Sequence, residues 1–217
     1  MRQKIKSTVI LIILILVLVF PLSACEDEEI PSDNPLITIT LESGELIKLE
    51  LYPDIAPVTV ENFLKYVNDG FYDNTIFHRI IAGFMIQGGG YTIISDSLRQ
   101  KTPTYEPITG EFSENGYTQN TLKHAAGVIS MARTSVANSA TSQFFICTDM
   151  KERQAEALDG MYAAFGRVTD SASLNVVRRL ANVDTSTYYN EGIQPFEDFP
   201  VEPVKIVSAI QTNRSAE

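Results

Sequence analysis

The sequence predicts a single mainly β domain, built as a closed barrel or a sandwich, on three observations. Short segments that alternate apolar and polar residues recur along the chain, which is the period of a half-buried strand. Only two stretches carry apolar residues at helical spacing, so an alternating α/β architecture is disfavoured. The 217 residues, 44% hydrophobic and 20% charged, supply one full core and not comfortably two. Disordered, collagen-like and coiled-coil architectures are excluded for the bulk of the chain by the same composition.

Residues 1–24 stand apart from that domain. Arg2, Lys4 and Lys6 precede the apolar run from Val9 to Phe20. The run suits a signal-peptide core and falls short of the ~20 residues that span a bilayer. Leu22-Ser23-Ala24-Cys25 follows and resembles the lipobox of bacterial lipoproteins. In that pattern the Cys25 thiol accepts a diacylglyceryl group before cleavage ahead of it. Each buried methylene contributes about 0.8 kcal/mol, so two or three acyl chains anchor durably. Residues 25–35 then read as a lipidated cysteine and a solvated tether, with Glu26 to Glu29 acidic and Pro31 and Pro35 extending the chain.

Leu36 to Leu41 and Glu45 to Leu51 alternate around Ser43-Gly44, a hairpin. A helix starts near Pro57, where a missing N–H costs nothing, and presents Val60, Phe63, Leu64 and Val67 on one face. Asn68-Asp69-Gly70 ends it. Residues 76–81, 128–132, 143–148, 163–168 and 204–210 read as further strands, and 171–181 as the second helix, with Leu174, Val177 and Leu180 at helical spacing. Gly88-Gly89-Gly90 reads as a tight turn after a strand, since it lacks the Lys-Ser/Thr and helix of a phosphate loop. Residues 183–200 read as a long ordered loop that composition does not explain. The domain is expected over 36–212, with a short tail at 213–217.

Charge and rare residues narrow the function. The formal charge of −10 repels phosphate backbones, so no nucleic-acid partner is expected. Two cysteines and two histidines make neither a disulfide scaffold nor a convincing metal site. Lipidation of Cys25 would leave Cys147 the only free thiol. No nucleophile motif is present. What does stand out is a series of blocks: Phe77-His78-Arg79-Ile80-Ile81, Gly83-Phe84-Met85-Ile86-Gln87-Gly88-Gly89, Ser130-Met131-Ala132-Arg133, Ser142-Gln143-Phe144-Phe145-Ile146, Leu158-Asp159-Gly160 and Phe165-Gly166. They combine one cation, two side-chain amides, aromatics and methionine, the inventory of an apolar pocket with a few fixed donors.

In this order and spacing the blocks resemble the cyclophilins, the barrel-type peptidyl-prolyl cis-trans isomerases, from about Leu36 to about Ile210. The resemblance implies a closed eight-stranded antiparallel β-barrel capped by two α-helices, with the site on its outer face. It implies Arg79 as the catalytic arginine. Phe84, Met85, Gln87, Gln143, Phe145 and Leu158 fall at pocket and amide positions, and Ala132 where the backbone pairs with substrate. No cofactor and no metal are implied. The partners would be proline-containing segments of exported or unfolded proteins, met by a monomer held to the membrane through Cys25 on the extracytoplasmic side. His78, next to Arg79 on a strand, is expected to point to the opposite face and, like His124 and Cys147, to be structural.

Two departures from the eukaryotic pattern concern the pocket rim. Arg133 follows Ala132 where that pattern has asparagine, and Tyr162 stands in place of a histidine. The rim tryptophan of that pattern aligns with Ala157, which leaves cyclosporin binding weak while proline turnover survives. A non-catalytic binding module and a solute-binding lipoprotein are the rival readings. An intact Arg79 disfavours the first, and a one-domain barrel disfavours the second.

Overall fold

The computed structural model describes residues 33–189 and 195–213. The signal segment, Cys25, most of the tether and residues 214–217 lie outside the described residues. Eleven strands and three α-helices follow in the order β1 (Leu36–Leu41), β2 (Leu46–Leu51), α1 (Pro57–Asn68), β3 (Thr75–Ile81), β4 (Met85–Ile94), β5 (Ser97–Gln100), β6 (Val128–Met131), β7 (Phe144–Cys147), α2 (Glu152–Leu158), β8 (Ala164–Val168), α3 (Ser171–Leu180), β9 (Thr185–Tyr188), β10 (Phe196–Pro200) and β11 (Val204–Gln211). Eight strands pair antiparallel in the order β3-β11-β1-β2-β8-β6-β7-β4, and β4 returns to β3 to close the barrel. The fold is the closed eight-stranded antiparallel barrel that the sequence implied. β5 extends β4 as an outer hairpin, and β9 and β10 form a separate ribbon.

Alternation sorts the strand residues into an inside and an outside. Ile129, Phe144, Ile146, Ile86 and Phe165 belong to the barrel interior, with Phe63 of α1 reaching in against Tyr72, Phe144 and Phe165. Their neighbours Val128, Phe145, Cys147, Met85 and Ala164 form a second apolar cluster together with Leu158. A third gathers Ile76, Leu98 and Phe199 beneath the β9–β10 ribbon. The barrel wall is therefore apolar on both sides along much of β3, β4 and β7, and these strands do not read as clean alternation.

The helices follow from local rules and one distant contact. α1 opens with Pro57 at its first turn and buries Val60, Phe63 and Val67. No side chain at Ala56 caps it; the buried Glu111 carboxylate accepts instead from the Val58 and Thr59 N–H groups, at 3.0 and 2.8 Å. α3 starts at an Asp170 cap that accepts from the Ser173 N–H. Its last turn carries Arg178, paired with Asp149, and Arg179, paired with Glu45.

Four sequence expectations change. A third helix, α2, joins the two expected caps; it spans 7 residues and buries only Leu158, too little to print an apolar stripe. Residues 183–200 are not a plain loop, because β9 and β10 pair within them. Gly88 to Gly90 are not a turn but the middle of β4. A Cβ at Gly89 would meet Tyr72 at 2.8 Å, and one at Gly90 would meet the Gln143 side chain at 2.5 Å, so glycine lets neighbouring side chains cross the strand.

The fourth change concerns His78. β3 bulges between Phe77 and Arg79, which face Gly88 and Gln87, two consecutive residues of β4. The extra residue shifts parity by one. Phe77 and Ile80 stay inside the barrel, while His78 packs against Tyr91 and Phe196 on the outside and Arg79 also faces outward. His78 and Arg79 thus share the outer side, contrary to simple alternation. His78 remains structural: it is buried, and burial lowers its pKa to about 4 against weaker opposition from the Ile76 backbone and the Gln143 amide.

Candidate active site

The second apolar cluster opens to solvent in one place. A pocket of about 140 Å³ is lined by Arg79, Phe84, Met85, Gln87, Ala132, Arg133, Phe145, Leu158 and Tyr162. These are nine of the eleven pocket and rim positions named from sequence, and Gln143 joins by accepting at 3.0 Å from the Gln87 amide. Arg79 and Gln87 are cross-strand partners on β3 and β4, and Gln87 faces Phe145 on β7. Three neighbouring strands thereby set the cation, an amide and the main aromatic side by side. Met85, Phe145 and Leu158 are buried and form the floor, while Arg79 stays 44% exposed by side chain.

Phe145 is fixed from behind. His124 stacks on its ring at 6.1 Å and 13°, donates its backbone N–H to Asp159 and places Nδ1 2.9 Å from the same carboxylate. Its Nε2 lies 3.1 Å from the Ser130 hydroxyl. Burial lowers the His124 pKa, and the Asp159 carboxylate opposes the shift. For Asp159 burial works upward, but the hydrogen bonds from His124 and Lys123 outweigh it and the pKa falls. His124 is thus a structural pillar behind the pocket and not part of its lining.

The rim is built by Arg133. Its guanidinium lies between the rings of Phe112 and Tyr162, 5.0 and 4.7 Å from their centroids. Nε and Nη2 donate to the Met161 carbonyl at 3.0 and 2.8 Å, and Nη1 to the Thr134 carbonyl at 2.9 Å. The two departures at 133 and 162 are therefore one arrangement. The partners Phe112 and Met161 carry no signal in the sequence that would mark them. Ala132 gives its N–H to the Gln143 carbonyl at 2.9 Å, so only its own carbonyl is left for a bound peptide. Ala157, expected at the rim, is exposed on α2 beside Leu158.

A larger open groove of about 810 Å³ runs between the β1–β2 hairpin, the end of α3 and the start of β11. Its Arg179 and Lys205 are already paired with Glu45 and Glu42, and it lacks the convergence of cation and amides on an apolar floor. That convergence is found in the smaller pocket. Among the described residues, no cluster of His, Cys, Asp and Glu could hold a metal ion, and no helix is long and apolar enough to cross a membrane.

The closed barrel thus carries an outer pocket with an apolar floor, edged by the Arg79 and Arg133 guanidiniums and the paired Gln87 and Gln143 amides. The chain belongs to the family of cyclophilin type peptidyl-prolyl cis-trans isomerases, whose profile (Cyclophilin type peptidyl-prolyl cis-trans isomerase/CLD) matches residues 36–211. A peptidyl-prolyl cis-trans isomerase of Acinetobacter baylyi is 44% identical over 176 residues, covering 81% of this chain and 84% of the relative. Peptidyl-prolyl cis-trans isomerase B of Escherichia coli is 39% identical over 175 residues, 79% of this chain and 99% of the relative. The crystal structure of a cyclophilin-type isomerase of Cryptosporidium parvum, in the presence of the dipeptide Ala-Pro, superposes with a TM-score of 0.60 at 27% identity, covering 82% of this chain and 99% of that one. The activity is peptidyl-prolyl cis-trans isomerisation.

Proposed function

We propose that this isomerase acts on proline-containing segments of exported proteins at the outer face of the cytoplasmic membrane, with Arg79 as the catalytic group. The observation that carries the chemistry is the exposed Arg79 guanidinium at the edge of a pocket floored by Met85, Phe145 and Leu158. Rotation about an X–Pro bond is slow because amide resonance must be lost, with a barrier near ~20 kcal/mol. In the twisted state the proline nitrogen becomes pyramidal and gains a lone pair. A guanidinium donates to that lone pair, and no equivalent acceptor exists in either planar ground state, so the twisted state is bound better. Arginine suits the role because it stays charged throughout the accessible pH range. The floor holds the ring, and the hydrogen-bonded Gln87 and Gln143 orient the neighbouring peptide group.

The location rests on the chain before the barrel. A positive start, a short apolar run, Leu22-Ser23-Ala24-Cys25 and an acidic stretch form the order of a lipoprotein leader, anchor and tether. Removing residues 1–24 would take away Arg2, Lys4 and Lys6 and no acidic residue, leaving a still more acidic domain beside the membrane.

Isomerisation of a proline peptide by the full chain and by Arg79→Ala tests the catalytic part. The variant is expected to lose on the order of 10²–10³ in rate, as when a transition-state donor is removed, with peptide binding far less affected. Equal rates would refute it. For the location, labelled fatty acid should enter the wild type and not Cys25→Ser; an unlabelled wild type would refute the anchor.

A further inference from the structure

We propose that Asp198, carried by the β9–β10 ribbon, is a positioning residue for Arg79. The Asp198 carboxylate lies 3.5 Å from the Arg79 Nε, and among the described residues Arg79 enters no other ion pair. A contact at Nε engages the base of the guanidinium and leaves both terminal nitrogens to donate into the pocket. An arginine side chain has wide rotamer freedom, and a planar fork pinned at one edge keeps its remaining donors in one plane. Both groups are part-exposed, at 44% and 35%, so the pair adds little to fold stability. Its effect is to narrow where the donor points.

The ribbon is built to deliver that carboxylate. β10 bulges between Phe196 and Phe199, which oppose Tyr188 and Ser186 of β9, so three steps on one strand match two on the other. Without the extra residue, Asp198 would share the face of Phe196 and point into apolar side chains. A bulge re-aims it. A ring contact fixes the strand to the barrel, Phe196 lying 5.0 Å from Tyr91 of β4, while Phe199 packs within the ribbon 4.7 Å from Tyr188. The Tyr188 hydroxyl accepts from the Leu98 N–H at 3.2 Å, tying the ribbon to β5. Arg79 also sits beside a bulge, so irregular backbone on both strands brings the two side chains together.

The proposal rests on Arg79 being the donor, and the test separates the two. Turnover and KM are measured on the full chain for Asp198→Asn, Asp198→Glu, Glu197→Gln and Asp198→Asn in an Arg79→Ala background, with thermal unfolding of each. Asp198→Asn is expected to lower kcat roughly three- to tenfold, the scale of one orienting interaction, with KM within about twofold. Asp198→Glu should restore most of the loss, and Glu197→Gln, one residue away and exposed, should match the wild type. The Arg79 Nε–H resonance should shift in Asp198→Asn. In the Arg79→Ala background the Asp198 change should have no further effect. A wild-type kcat for Asp198→Asn, a change in KM alone, or an undiminished effect without Arg79 would each overturn the proposal. If Arg79→Ala alone kept the wild-type rate, the catalytic reading would fall first and the positioning role with it.

Discussion

Mild acid should destabilise this barrel through its two buried histidines, His78 above all. His78 is buried on the outer side of β3, between Tyr91 and Phe196, and its pKa falls from 6.5 to about 4 because burial disfavours the charged ring. The unfolded chain binds this proton near pH 6.5 and the folded chain does not, so stability is full above that pH and declines toward pH 4. With those two values the loss between pH 7 and pH 5 is about 2 kcal/mol, and it saturates at about 3 kcal/mol below pH 4. The carboxylates of Glu45, Asp149, Asp159 and Asp170 all have lowered pKa values, so they hold their charge through this window. His78→Phe keeps ring contacts with Tyr91 and Phe196 and cannot titrate. Urea unfolding at pH 7 and pH 5, followed by circular dichroism because the chain has no tryptophan, should show the wild type losing about 2 kcal/mol more than the variant. An equal loss in both proteins would refute the reasoning.

Two further predictions rest on close contacts. Gly90→Ala places a methyl 2.5 Å from the Gln143 side chain, which is flexible enough to yield, so the variant should fold but lose the Gln87–Gln143 bond. Its isomerisation rate should drop about three- to tenfold with a melting temperature near that of the wild type, and an unchanged rate would show the amide pair to be idle. Cys147 is buried and burial pushes its thiol up to about 12, so a thiol reagent should react only after denaturation; rapid labelling of the native protein would contradict its placement.

The barrel was legible because most of its strands carry period two and both large helices carry an apolar stripe. Pro57 and Gly70 marked one helix, and Ser43-Gly44 marked the hairpin. What escaped has physical causes. β4 escaped because three consecutive glycines resemble a turn, whereas their lack of side chains makes room for Tyr72, Phe144 and Gln143. α2 escaped because two turns that bury one leucine show no periodicity. The shared side of His78 and Arg79 escaped because a bulge has no residue code. The pocket positions came from the order of the blocks and gather around one cavity, but what holds them (Asp159 behind His124, Phe112 under Arg133) is contributed from far along the chain.

The stacking of Arg133 between Phe112 and Tyr162 has a consequence for how this rim can diverge. The guanidinium loses an aromatic face if either ring is replaced, and each ring loses its covering cation if Arg133 is replaced. Single exchanges therefore pass through a variant with a loosened rim, while a joint exchange of all three avoids it. The three positions form one unit of inheritance, separated by tens of residues in the chain. A graft of a different rim onto this barrel should keep its packing when it transfers 112, 133 and 162 together, and a comparison of relatives at any one of these positions misreads the rim unless the other two are read with it.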